Sequence, residues 1–231
     1  MTRLDELRSN LDVVRRRIAD ATESAGRSDE VGLVVVTKFF PASDVRLLAD
    51  LGVTDVGENR HQEAAAKAAE CADLGLRWHF IGGLQSNKAA AVASYADVVE
   101  ALDRPKLVGP LSRGAHGRGH EVEVLLQVSL DPPGADHRAG ADQAALADLA
   151  QRVEEAGMLR LRGLMAVAPL GEEPADAFAR LAAIRREFLE EHPGATVLSA
   201  GMSGDLEAAI IHGATHVRVG SAVLGPRPAV Q

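Results

Sequence analysis

The sequence predicts an α/β fold, a (β/α)8 barrel of the TIM type, and three observations predict it. Eight short β-branched or apolar runs follow one another along the chain. Alanine-rich segments with helical periodicity lie between them. The residues are 46% hydrophobic but only 3% aromatic, so the core must be built mainly from Ala, Val, Leu and Ile, which suits parallel strands covered by helices. At 231 residues the chain fits one such domain over 1–231, with a leading helix and connection over 1–30 and the barrel over 31–225.

The opening, Leu4 to Ala25, places Leu4, Leu7, Leu11, Val14 and Ile18 at helical spacing and reads as an amphipathic leading helix. The strand-like runs are Leu33–Thr37, Thr54–Gly57, Trp78–Ile81, Asp97–Ala101, Val122–Val128, Leu161–Val167, Thr196–Ala200 and Thr215–Val219. Helical segments follow at Ala42–Leu51, Gln62–Leu74, Ala141–Ala156, Ala175–Glu191 and Leu206–His212, with a weaker, shorter one after the third strand. A helical crossover after each strand favours a right-handed, all-parallel sheet that closes at eight strands. An open doubly wound sheet is the alternative, but no G-x-G-x-x-G or G-x-x-x-x-G-K-[ST] occurs. Arg113–Gly119 and Asp131-Pro132-Pro133-Gly134 read as flexible loops.

A net charge of −8, with arginines scattered among acidic residues, opposes nucleic-acid binding. The single cysteine, Cys71, cannot form an internal disulfide, and the polar start Met1-Thr2-Arg3-Leu4-Asp5-Glu6 lacks the apolar core of a signal peptide. No run is long enough to span a membrane, so a reduced, cytoplasmic setting is expected. His116 with His120 and His212 with His216 have no nearby Cys or HExxH context, and no metal site is expected.

In such barrels the chemistry sits at the carboxyl ends of the strands, and phosphate commonly binds after strands seven and eight. Here those positions carry Gly201-Met202-Ser203-Gly204-Asp205 and Val219-Gly220-Ser221. Gly204 and Gly220 lack a Cβ, Ser203 and Ser221 add hydroxyls, and a helix start presents N–H groups. Taken singly, Ser203 and Asp205 equally suit a helix cap, and Gly220 the end of a strand. Lys38 ends the first strand at the same end of the barrel, where it either serves as an amine nucleophile or extends to water. The lysines Lys67, Lys88 and Lys106 lie in or beside helices and are expected to face solvent. In Val217-Arg218-Val219 alternation turns Arg218 into the barrel, where it needs a partner: the ring nitrogen of a bound pyridine, or a carboxylate, Asp205 or Glu58. An amine, a phosphate cradle and an inward arginine together suit pyridoxal 5′-phosphate (PLP). A Schiff-base aldolase that uses Lys38 on a sugar phosphate is an alternative.

Val36-Thr37-Lys38, Gly57-Glu58-Asn59-Arg60-His61-Gln62-Glu63, Trp78 to Lys88, Gly163-Leu164-Met165, Gly201 to Asp205 and Val217 to Ser221 run from the first strand to the last. In these motifs the chain resembles the pyridoxal phosphate homeostasis proteins, whose barrel is like the N-terminal barrel of alanine racemase, PLP fold type III. The resemblance implies a PLP carrier and buffer in vitamin B6 and amino acid homeostasis. It implies a Schiff base on Lys38, Arg218 at the pyridine nitrogen, and phosphate contacts from Ser203, Gly204, Gly220 and Ser221. Asn59 and Met165 would line the cofactor pocket. His79 suits a hydrogen-bonded core histidine better than a catalyst. Gln127-Val128-Ser129-Leu130-Asp131 and His137-Arg138-Ala139-Gly140 depart from the family's usual residues, which puts a ligand role for the 129–140 loop in doubt.

An amino acid racemase is the alternative function. It needs a second base on the opposite face of the substrate, and the only tyrosine, Tyr95, falls before the fourth strand. Arg218, always charged, would also leave the pyridine nitrogen unprotonated and weaken carbanion chemistry. PLP binding without clear turnover is therefore the expectation. Apo forms of PLP-dependent enzymes are the candidate partners, and a monomer or weak homodimer is the expected state.

Overall fold

The computed structural model describes residues 2–131 and 139–226. The expected loop Asp131–Gly134 falls, beyond Asp131, outside the described residues, as do His137 and Arg138. Eight parallel strands close into a barrel in sequence order: β1 (Gly32–Val36), β2 (Asp55–Glu58), β3 (Arg77–Phe80), β4 (Val98–Leu102), β5 (Val122–Val128), β6 (Leu159–Ala166), β7 (Val197–Ser199) and β8 (His216–Val219). Closure is made by β1 on β8, with Val34 opposite Arg218. Each predicted run overlaps its strand, with ends moved by no more than two residues.

The leading helix α1 (Arg3–Ser24) begins at a capping box: the Thr2 hydroxyl accepts the Asp5 N–H, and the Asp5 carboxylate accepts the Thr2 N–H. Leu7, Leu11, Val14, Ile18 and Ala21 form its buried stripe. Around the barrel run α2 (Ala42–Asp50), α3 (His61–Glu70), α4 (Ala89–Ala93), α5 (Val108–Arg118), α6 (Leu146–Glu155), α7 (Pro174–Glu191), α8 (Leu206–Ile211) and α9 (Ser221–Leu224).

The expectation of a flexible loop at Arg113–Gly119 is corrected: Arg113–Arg118 belongs to α5, and Gly119 is its left-handed C-cap at φ +70°. Val108, Leu111 and Ala115 bury one face of this helix. Gly114 is there for close packing, because a Cβ on it would lie 2.2 Å from the Ala90 carbonyl oxygen of α4. A glycine needed at a helix crossing looks, in sequence, like a glycine that breaks the helix.

The aliphatic residues pack chiefly between strands and helices, in two clusters. The barrel interior is different: strand alternation turns His79, Glu100, Ser199 and Arg218 inward, all of them buried. These polar groups form one hydrogen-bonded column through the barrel, linking the end that holds Asp55 to the end that holds Lys38.

Candidate functional site

A cleft of about 220 Å³ opens at the carboxyl ends of the strands. It gathers six of the sequence-predicted residues: Lys38, Ser203, Gly204, Arg218, Gly220 and Ser221. Val36, Phe40 and Ile81 supply apolar wall, and Met202, 40% exposed, stands at it as well.

Lys38 follows β1 in the interior-facing phase of Val34 and Val36, so its side chain enters the cleft. The next residue, Phe39, has φ +72°, a left-handed conformation that costs a side-chain-bearing residue about 1–2 kcal/mol. Surrounding bonds hold this turn. The Thr37 N–H donates to the Gly57 carbonyl, the Phe39 N–H donates to Glu63 Oε1 at 2.6 Å, and the Phe40 N–H donates to the Thr37 carbonyl.

The loops after β7 and β8 meet at their hydroxyls. Ser221 Oγ lies 3.3 Å from Ser203 Oγ, and the Ala222 N–H points to the same oxygen at 3.4 Å. A Cβ built on Gly204 would meet no atom within 4 Å, whereas one on Gly220 would stand 3.2 Å from the Val36 carbonyl oxygen. Asp205 sits at the N-cap of α8, but its carboxylate accepts the Met202 N–H within the loop instead of capping the helix. The leading helix braces both loops from outside, a role that the sequence reading missed. Arg17 donates to the Ser203 carbonyl and pairs with Glu207, while Arg3 and Asn10 donate to the carbonyls of Leu224 and Val223.

Arg218 does face the barrel interior, but its carboxylate neighbour is neither Asp205 nor Glu58. Its Nη1 donates to Ser199 Oγ at 2.8 Å and its Nη2 to the Ala166 carbonyl at 2.9 Å, with Glu100 at 3.7 Å. These two acceptors fix the guanidinium plane and use only part of its five N–H groups. Glu58 is on the other side of the sheet, against α3, and Asp205 is committed to its own loop. Burial lowers Arg218 from its ordinary value, with the charges of Glu100 and then Asp205 opposing. Glu100 is held below the usual carboxylate range: burial acts against its charge, and His79, Arg218 and Ser199 outweigh it.

His79 is a buried, doubly hydrogen-bonded histidine, as expected, 2.8 Å from Glu100 and 2.9 Å from Asp55. Burial disfavours its imidazolium, but the two carboxylates prevail and raise it above the ordinary histidine value. Asn59 and Met165 are not brought to the cleft wall. Asn59 is packed under Gly82, where a Cβ would come within 2.3 Å of its carbonyl oxygen, and its Oδ1 is buried without a partner among the described residues. Met165 is buried in the barrel beside Ser199. Tyr95 stacks on His61 and packs beside both aliphatic clusters, apart from the cleft.

The expectation that Lys67 faces solvent is also corrected. It is 6% exposed, and its ammonium lies 2.7 Å from each of Glu58 and Glu63. The available sequence signal was the Glu63/Lys67 pair at i, i+4 inside an alanine run, which also describes an ordinary surface pair. Lys106 is exposed and Lys88 half-buried.

The model of the alanine racemase N-terminal domain family matches residues 3–228. A pyridoxal phosphate homeostasis protein of Mycobacterium tuberculosis is 43% identical over 97% of this chain and 94% of its own length. That of Escherichia coli is 37% identical over 97% and 98%. Among solved structures, PipY of Synechococcus elongatus with PLP bound superposes with a TM-score of 0.82 at 35% identity, covering 95% of this chain and all of that one. An alanine racemase of Clostridium difficile shares the fold at 15% identity and a TM-score of 0.71, but this chain spans only 60% of it. With six of the eight expected site residues placed by the fold at one barrel end and relatives matched along nearly the whole chain, this protein belongs to the pyridoxal phosphate homeostasis protein family.

Proposed function

We propose that this protein binds PLP in the cleft of Lys38 and carries and buffers it, contributing to cytoplasmic PLP and amino acid homeostasis. One observation carries the reading: an amine, an inward arginine and two small-residue hydroxyl loops converge on a single cleft. That donor set fits the three polar ends of the cofactor, an aldehyde, a ring nitrogen and a phosphate. Bound there, PLP supplies an aldehyde carbon open to amine attack and a ring that withdraws electrons.

Lys38 would hold the aldehyde end of the cofactor through its amine. Ser203, Ser221 and the backbone at Gly204 and Gly220 hold the phosphate with hydroxyl and N–H donors. Arg218, already fixed by Ser199 and Ala166, offers its remaining N–H groups to the ring nitrogen and keeps that nitrogen unprotonated. Asn59 and Met165, which the resemblance would place along the cofactor pocket, stand outside this donor set. This arrangement suits reversible holding, with apo PLP-dependent enzymes as recipients and a monomer or weak homodimer as the carrier.

The test is the absorption spectrum of the purified protein with added PLP, before and after borohydride reduction, followed by peptide mapping. The expected result is a band near the visible edge and an adduct fixed on Lys38. An adduct on another lysine, or none, would overturn the reading.

A further inference from the structure

Lys67 is outside the cleft, yet both peptide groups that flank Lys38 are tied to it. Its ammonium donates to the Thr37 carbonyl at 2.7 Å, in the peptide group that leads into Lys38. It donates to Glu63 Oε1 at 2.7 Å, and the same oxygen accepts the Phe39 N–H, in the peptide group that leads out. Its third partner is Glu58 Oε1, at 2.7 Å, which also accepts the Thr37 hydroxyl. Three ammonium protons thus meet three acceptors. We propose that Lys67 is a positioning residue that, acting with Glu63, clamps the peptide planes on both sides of Lys38 and keeps that side chain aimed into the cleft. The inference rests on the reading of Lys38 as the attachment point for PLP.

A cation is needed at this position because two carboxylates converge on it. Without the ammonium, Glu58 and Glu63 would repel each other across a buried space. Glu58 is 1% exposed and fixed on β2, whereas Glu63 lies on α3 with its side chain 25% exposed and can turn toward water. Turning away, Glu63 gives up the Phe39 N–H. Phe39, held at φ +72°, then loses a bond that keeps it in a conformation side-chain-bearing residues rarely adopt. The turn relaxes and Lys38 loses its fixed direction.

The test uses the full chain with Lys67→Met and, separately, Glu63→Ala, which leaves the Lys67–Glu58 pair in place and carries the test if Lys67→Met does not fold. In cofactor-free protein, amide hydrogen exchange at Phe39 should quicken about tenfold or more, as expected of local opening. With PLP added, formation of the borohydride-fixed adduct on Lys38 should slow by about a hundredfold, the effect of roughly an ångström of misplacement. Binding of inorganic phosphate, followed by the amide shifts of Ser203 and Gly204, should stay at the wild-type level. Unchanged Phe39 exchange, or faster exchange with an unchanged adduct rate, in either folded variant would overturn the clamp. Failure of the wild-type chain to form the adduct would instead overturn the functional reading, and the exchange measured without cofactor would still decide the clamp.

Discussion

The two ends of the barrel carry clefts of opposite character. The larger, about 710 Å³, lies at the amino ends of β1 and β2 beside the last turns of α1; the smaller, about 220 Å³, lies at the carboxyl ends. In the larger cleft Arg15, Arg27, Asp29 and Asp55 are already matched. Arg27 clasps Asp29 and donates to the carbonyls of Ile210 and Ala214, Arg15 donates to the Leu51 carbonyl, and Asp55 binds His79. In the smaller cleft, two hydroxyls, two glycines, an amine and a guanidinium converge from β1, β7 and β8. Volume therefore does not mark the candidate site. What locates it is donors brought together at strand ends, where a parallel barrel gathers loops from several strands.

The sharpest way to break this contrast is to remove the carboxylate that serves the interior between the two ends. Glu100→Leu would leave Arg218 and His79 without their shared partner inside the barrel, and should cost about 3–5 kcal/mol, read from chemical denaturation. A loss no larger than that of a surface substitution would mean that the column is not a connected unit.

A smaller effect separates the clefts directly. Ser203→Ala with Ser221→Ala should weaken PLP binding by about 1.5–3 kcal/mol, the range for hydrogen bonds to a charged group, measured by titrating the bound-cofactor absorbance. Arg27→Ala with Asp29→Ala, in the larger cleft, should leave that affinity unchanged. Equal losses from both pairs would erase the distinction.

The smallest expected effect is a pH dependence centred on His79. Its value is raised in the folded state, so its charged form stabilises the fold fully below about pH 6.5, and that part is lost as pH rises through the folded value. Asp55 and Glu100 are lowered and act in the opposite sense, with stability lost as pH falls through the carboxylate range. The stability difference between wild type and His79→Gln should therefore shrink on going from pH 6 toward alkaline pH, seen in denaturation midpoints. A difference that widens would reverse the assignment.

Strand positions were legible because β-branched runs between helical segments leave little freedom, and Lys38, Ser203 and Ser221 were legible because they stand at strand ends. Arg218 was read correctly as inward from simple alternation, but its neighbour was not: Glu100 lies on β4, far away in sequence, and only barrel closure brings the two within 3.7 Å. Lys67 was misread for a related reason. Its helical position says surface, and only the packing of α3 on β2 reveals two carboxylates and a carbonyl around its ammonium.

By itself the sequence determined the alternation of strands and helices, the barrel end at which the candidate site lies and the residue types gathered there, because periodicity and strand-end position are local properties. Only the tertiary structure decided that α5 is a helix packed through Gly114, that the barrel interior is a polar column and that Lys67 and Glu63 hold the turn around Lys38. Each of these depends on which surfaces meet across the fold, and burial changes what a charge or a glycine does there.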